Sequence, residues 1–154
     1  GHVGGAAIDV FPVEPRSNND EFVSPLRGLE QCLLTPHIGG STEEAQENIG
    51  VEVAEKLSHY SDNGTTISAV NFPEVALPAY DGKHRLLHVH RNTPGIMSAI
   101  NQVFSDNNVN VSGQYLQTLG EMGYVVIDIE ADYSKILIKN LAGIDGTVRT
   151  RVLF

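Results

Sequence analysis

Two residues that could do chemistry together stand at the ends of two short apolar runs. Ala6-Ala7-Ile8-Asp9-Val10-Phe11 reads as a buried strand running into Pro12-Val13-Glu14-Pro15, where two prolines bar a helix and fix a turn that carries Glu14. A second short strand, Leu29 to Leu34 with its apolar end at Leu33-Leu34, runs into the turn Thr35-Pro36-His37-Ile38-Gly39-Gly40 and so presents His37. A carboxylate hydrogen-bonded to an imidazole raises the basicity of the ring and fixes its tautomer, as a general acid/base near neutral pH requires. Turns outside the carboxyl ends of strands are also where open α/β sheets keep their ligands. On spacing alone His37 reads first as a structural histidine bonded to loop backbone, and it is the Glu14 partner that points to chemistry. Cys32, close to His37, could pair with it as a nucleophile; in an alternating apolar setting it reads instead as a small hydrophobe.

The elements that must position these residues follow from the local pattern. Ser41 with Glu44 has the form of a capping box, and Ala45, Ile49, Val53, Leu57 and Tyr60 recur at helical spacing behind it. Asp62-Asn63-Gly64 stops that helix. Residues 61–82, interrupted by Pro73 and Pro78, read as a linker with some strand character.

The second half alternates more cleanly. Lys83 to Arg91 is expected as a strand. Thr93 caps and Pro94 opens a helix through Phe104, which Asn107-Asn108 ends. Val109 to Thr118 and Tyr124 to Ala131 form a hairpin across Leu119-Gly-Glu-Met-Gly123. Ser134 to Leu141 is a short helix and Thr147 to Phe154 a last strand. The order is β-α-β-β-α-β, the ferredoxin-like pattern of two helices on one face of a four-stranded antiparallel sheet. His84, His88 and His90 fall on one face of the first of these strands. Zinc is one reading of them, although a strand spreads its side chains along its length; a mixture of small-molecule ligand and surface histidine is the other.

The composition narrows the class. The net charge is -9, and residues 1–80 hold three Lys/Arg against twelve Asp/Glu while residues 81–154 are balanced. An acidic half with no basic patch argues against nucleic acid. No apolar run is long enough to span a bilayer, and the single cysteine excludes an internal disulfide framework, so a cytoplasmic location with no membrane partner is expected. No Gly-x-Gly-x-x-Gly dinucleotide fingerprint occurs.

The strings Gly-Ala-Ala-Ile-Asp-Val-Phe-x-x-Glu-Pro and Thr-Pro-His-Ile-Gly-Gly-Ser-Thr-x-Glu-Ala resemble the end of the catalytic region of the NAD-dependent D-2-hydroxyacid dehydrogenases. His-x-Asn-x-Pro-Gly from His90 to Gly95, with the βαββαβ order, resembles an ACT domain, a small-molecule sensor. The resemblance implies the C-terminal part of a Rossmann-like catalytic region over residues 1–60, a linker over 61–82 and an ACT regulatory domain over 83–154. It further implies His37 and Glu14 as the catalytic pair and NAD as cofactor. Asp9, Gly39 and Gly40 would lie at the nicotinamide side, and 3-phosphoglycerate would be the substrate of the full-length enzyme. L-serine is implied as effector, bound by His90 and Asn92 of one copy and Asn110 of a facing copy in a homo-oligomer joined through ACT domains. No metal is expected. A chain lacking the fingerprint is expected to be inactive alone, and it reads alternatively as a non-catalytic amino-acid-binding and oligomerisation module.

Overall fold

The computed structural model describes residues 2–78, 84–130 and 135–153, and the chain divides into two compact units, Gly1–Glu52 and Val53–Phe154. Lys83, Ala131, Ser134 and Phe154, expected at the ends of elements, lie outside the described residues.

In the first unit β1 (Ala6–Ile8) pairs in parallel with β2 (Cys32–Leu34), Ala6 opposite Cys32 and Ile8 opposite Leu34. The expectation of a buried strand through Phe11 does not hold. The ladder is three residues long, and no described residue up to Glu52 is buried; Leu33 is 65% exposed. A parallel pair needs cover on both faces to bury its side chains, and the described residues of this unit supply none. Cys32 is a free, half-buried thiol.

Helix α1 (Glu43–Asn63) begins one residue later than the pattern suggests. Ala45 N donates to Thr42 Oγ1 at 3.1 Å, which makes Thr42 the N-cap; Ser41 N instead closes a turn onto Ile38 O at 3.0 Å. Glu44 therefore sits at the second helical position and completes no capping box with Ser41. The helix buries none of its residues.

The second unit is built on strand β3 (His84–Arg91), helix α2 (Ile96–Asp106), strands β4 (Val111–Leu119) and β5 (Met122–Ile129), helix α3 (Lys135–Ala142) and strand β6 (Thr147–Leu153). The sheet runs β4-β5-β3-β6, antiparallel throughout. The β4–β5 hairpin turns in two residues, Leu119 facing Met122, with Gly120 at φ 57, a value such turns require and glycine adopts without cost. The cap of α2 differs from expectation. Gly95, at φ 88, is the N-cap, because Thr93, Pro94 and Gly95 form a turn closed by Ile96 N onto Thr93 O. The helix therefore starts two residues beyond Pro94.

Both faces of this sheet are covered. On one, Leu86, Val125, Ile127 and Ile129 pack against Ile100 and Phe104 of α2 and Leu137 and Leu141 of α3. On the other, Leu87, Tyr124, Val126 and Leu153 pack with Val75, flanked by Phe72 and Leu77. The segment after α1 is thus a strap laid on the sheet. Its folding is local: Thr66 N donates to Val75 O at 3.0 Å, Thr66 Oγ1 donates to Pro73 O and accepts from Val75 N, each at 2.8 Å, and Leu77 N reaches Thr65 Oγ1 at 3.2 Å.

The strap leaves α1 at Gly64, whose φ of 83 is the left-handed conformation of a helix terminus. Three side chains of the sheet then take the terminal carbonyls: Tyr124 Oη donates to Gly64 O at 2.7 Å, Arg85 Nη1 to Asn63 O at 3.1 Å and Arg151 Nη2 to Ser61 O at 2.9 Å. α1 has no basic residue in its own last turn, so the cations that complement the negative end of its dipole come from the sheet. Arg85, 1% exposed, also grips Asp128 with two hydrogen bonds, Nε to Oδ1 at 2.6 Å and Nη2 to Oδ2 at 2.8 Å.

Candidate functional site

The two turns that follow β1 and β2 come together as the strand pairing requires. Glu14 accepts a hydrogen bond from Phe11 N at 2.9 Å, which fixes its carboxylate in the proline turn. Both carboxylate oxygens then face His37 Nδ1, at 2.9 and 3.0 Å. A carboxylate accepts only, so Nδ1 carries the proton and Nε2 presents its lone pair outward when the ring is neutral. Asp9 supplies the second support. Its Oδ1 accepts from Thr35 Oγ1 at 2.5 Å and from His37 N at 3.0 Å. His37 has φ 51, a left-handed backbone rare for a residue with a Cβ, and the Asp9 bond to its amide helps hold it there.

The electrostatics follow from these contacts. The hydrogen bond and charge of Glu14 raise His37 above its ordinary value of 6.5. The Phe11 amide, then His37, hold Glu14 below the usual carboxylate range, and the Thr35 hydroxyl does the same for Asp9. His37 and Glu14 border a cleft of about 670 Å³, whose walls include Phe11, Phe22, Arg16 and Arg27. Phe11 and Phe22 meet edge to face at 4.7 Å. Arg16 and Arg27 went unremarked in the sequence, since nothing in a polar loop marks which of its cations will border a cleft. Gly39 and Gly40 lie just beyond His37; a Cβ on Gly39 would meet nothing within 4 Å, and one on Gly40 only Ile49 Cδ1 at 3.9 Å.

In the second unit His90 and Asn92 stand at the end of β3 and Asn110 immediately before β4. β3 and β4 both run antiparallel to β5, so they start at the same end of the sheet. Within one chain the strand rise separates Asn110 from His90 by about 20 Å. The structure therefore brings His90 and Asn92 together and leaves Asn110 apart. Asn92 is exposed; its N donates to Glu121 O at 2.8 Å and its Nδ2 to Gly120 O at 3.3 Å. Asn110 Nδ2 donates to Glu130 Oε2 at 3.1 Å.

The three histidines of β3 do share one face by alternation, but they are not alike. His88 and His90 are each 1% exposed, with Nδ1 atoms 3.3 Å apart. Burial pushes His88 down to about 4, with the neighbouring His90 adding to the effect, and burial lowers His90 as well. His88 Nε2 lies 3.0 Å from Thr147 Oγ1 and 3.4 Å from Leu141 O, partners on β6 and α3 that no spacing in β3 could reveal. Among the described residues no three His, Cys, Asp or Glu side chains gather as a metal site would require.

Residues 86–149 match a model of the AHAS small subunit-like ACT domain, and the βαββαβ unit is an ACT-like, ferredoxin-type α/β domain. The whole chain is 59% identical over 154 residues to a D-3-phosphoglycerate dehydrogenase of Haemophilus influenzae, and it spans 38% of that protein's length. It is 58% identical over 155 residues to the D-3-phosphoglycerate dehydrogenase of Escherichia coli K12, covering 99% of this chain and 38% of that one. The enzyme of the same name from Dictyostelium discoideum is 42% identical over 154 residues, which make up all of this chain and 37% of that protein. In each case the similarity runs to the C-terminal end of the relative.

Proposed function

We propose that this chain is the C-terminal part of an NAD-dependent D-3-phosphoglycerate dehydrogenase. Residues 1–60 would belong to its Rossmann-like catalytic region, 61–82 to a linker, and 83–154 to a regulatory domain that binds L-serine. The observation that carries the catalytic half is the paired carboxylate contact on His37 Nδ1, on a backbone held at an uncommon φ by Asp9. With Nδ1 occupied, His37 Nε2 is free to take the proton from the C2 hydroxyl of 3-phosphoglycerate, and Glu14 stabilises the imidazolium that results.

NAD, if bound in the intact enzyme, would supply a hydride acceptor for C2. The residues present fit its nicotinamide end in kind: Asp9 is an ionised acceptor beside His37, and the bare backbone of Gly39 and Gly40 permits close approach. A pyrophosphate site on a glycine-rich turn is not among the motifs of this sequence. The chain alone is accordingly expected to be catalytically inactive, acting as an amino-acid-binding and self-associating module.

His37→Ala in the full-length enzyme should lower kcat by about 10²- to 10⁴-fold, the usual weight of a general base. Unchanged turnover would remove His37 from the chemistry. The acid limb of the pH profile for alcohol oxidation reports the neutral form of the base. Because Glu14 raises His37 above 6.5, that limb lies at higher pH than for an ordinary histidine. Glu14→Gln should move it to lower pH and reduce the rate at its plateau.

For the regulatory half, Asn110 stands apart from His90 and Asn92 in one chain, so an effector touching all three would join two copies. Calorimetric titration should give heat with L-serine and none with D-serine or NAD. A folded chain that gives no heat with L-serine would end the effector assignment.

A further inference from the structure

The buried pair beneath the proposed effector residues has a direction that its contacts fix. Leu141 O is a carbonyl and can only accept, yet it faces both His88 Nε2 at 3.4 Å and Thr147 Oγ1 at 3.1 Å. A lone pair on Nε2 would be repelled by that carbonyl, so Nε2 carries the proton. The Thr147 hydroxyl donates to Leu141 O and accepts from Nε2 at 3.0 Å. In a neutral ring His88 Nδ1 is then a bare lone pair. It faces His90 Nδ1 at 3.3 Å, and two lone pairs at that distance in a buried site would be costly, so His90 Nδ1 carries the proton.

The consequence falls on the other nitrogen of His90. In the neutral ring Nε2 is left as an acceptor, and among the described residues nothing hydrogen-bonds it. The ring leans over Gly123, its partner across the β3–β5 ladder. A Cβ on Gly123 would lie 2.2 Å from Nε2, nearer than to any other ring atom. Thr118 of β4 is the next residue along the same row, opposite Gly123 on the outer strand, and it is exposed. Nδ1 thus faces His88, and Nε2 lies over Gly123 on the side of the ring toward β5 and β4, within a residue that is 1% exposed.

We propose that His88 and Thr147 are positioning residues that hold His90 in its Nδ1-protonated tautomer, so that Nε2 meets the effector as an acceptor and recognises a donor, its ammonium or hydroxyl, rather than its carboxylate. The tautomer stands on the geometry alone, while the recognition step rests on the proposed effector role of His90. Gly123 makes the arrangement possible by leaving the space that the ring occupies. Burial, which disfavours the charged form of both rings, keeps the relay in its neutral state.

Long-range proton–nitrogen correlation spectra of the chain labelled with ¹⁵N-histidine, at neutral pH, report each tautomer directly. His88 should appear protonated on Nε2 and His90 on Nδ1, the form that free histidine disfavours. A His90 signal from the Nε2-protonated form would overturn the relay. Thr147→Val removes the acceptor of the relay at nearly constant shape, whereas Thr147→Ser keeps it. Thr147→Val leaves Leu141 O, at 3.4 Å, as the one remaining acceptor of His88 Nε2, so the valine variant should let part of the His90 population pass to the Nε2-protonated form and weaken L-serine binding several-fold, and the serine variant should restore both. A valine variant with an altered His90 tautomer but unchanged serine affinity would overturn the positioning role. Wild-type chain that shows the tautomers but binds no L-serine would sink the effector assignment and leave the relay standing.

Discussion

Every buried hydrophobic side chain among the described residues lies between Val75 and Leu153, and none lies in the first 52 residues. Yet the first unit holds the histidine with the paired carboxylate, and the second holds a complete core with its polar groups turned inward. In the first unit the chemistry sits on short turns joined by a few hydrogen bonds between exposed groups. In the second the sheet is covered on both faces, and its ionic groups are held against backbone. The His37–Glu14 geometry is specified by Asp9, Thr35 and one strained backbone. The positions of His88 and His90 need six elements and a core.

The contrast predicts where substitutions will be felt. The largest effect should come from Asp128→Ala, which removes the carboxylate that the buried guanidinium of Arg85 grips with two hydrogen bonds. Urea unfolding should show a loss of about 3 kcal/mol in the transition of the second unit, and a loss below about 1 kcal/mol would mean that solvent reaches Arg85 readily. Gly64→Ala comes next. The added Cβ would lie 2.5 Å from Leu87 Cδ2 and 2.9 Å from Tyr124 Oη, on a backbone at φ 83. A cost of about 2 kcal/mol is expected, read as a lower Tm.

The pH dependence, felt only in acid, has a definite sign. His88 is neutral in the folded unit down to about 4, whereas in the unfolded chain it protonates near 6.5. Between those values the unfolded state binds more protons, so stability is full above 6.5 and falls as the pH drops toward 4. His88→Gln should flatten that slope in thermal melts between pH 4 and 7. The smallest effect is expected in the first unit: Leu33→Ser, at a position 65% exposed, should change stability by less than about 0.5 kcal/mol. A larger loss would show that the first unit has cohesion its exposure does not reveal.

Much of this was legible in the residues. Turn chemistry placed the β4–β5 hairpin within Leu119 to Gly123, and Gly64 marked the end of α1. The proximity of Glu14 to His37 followed from two successive strands ending in turns. The covering of the second sheet face was harder to see, because Pro73, Pro78 and the polar residues around them mark extended chain without saying what it lies on. One signal was present: Tyr124-Val125-Val126-Ile127 is apolar at every position, as a strand buried on both faces must be. Helix starts slipped by one or two residues at Ser41 and Thr93, because adjacent residues compete to cap and only the local turn decides. The burial of His88 and His90 could not be read from alternation, which gives a face and not what covers it. Their partners Leu141 and Thr147 are 53 and 59 residues from His88 in sequence.

The hold of Arg85 and Arg151 on the last α1 carbonyls, and of Tyr124 on Gly64 just beyond them, has a kinetic consequence. The first turn of that helix is secured by Thr42 alone, with no buried side chain near it, so its amides should exchange with solvent through brief local fraying. The last turn can open only if a phenol and two guanidiniums let go of the sheet side of their contacts. One unbroken helix would thus keep two clocks, running fast at Glu43 and, at Asn63, at the slow pace of the whole second unit.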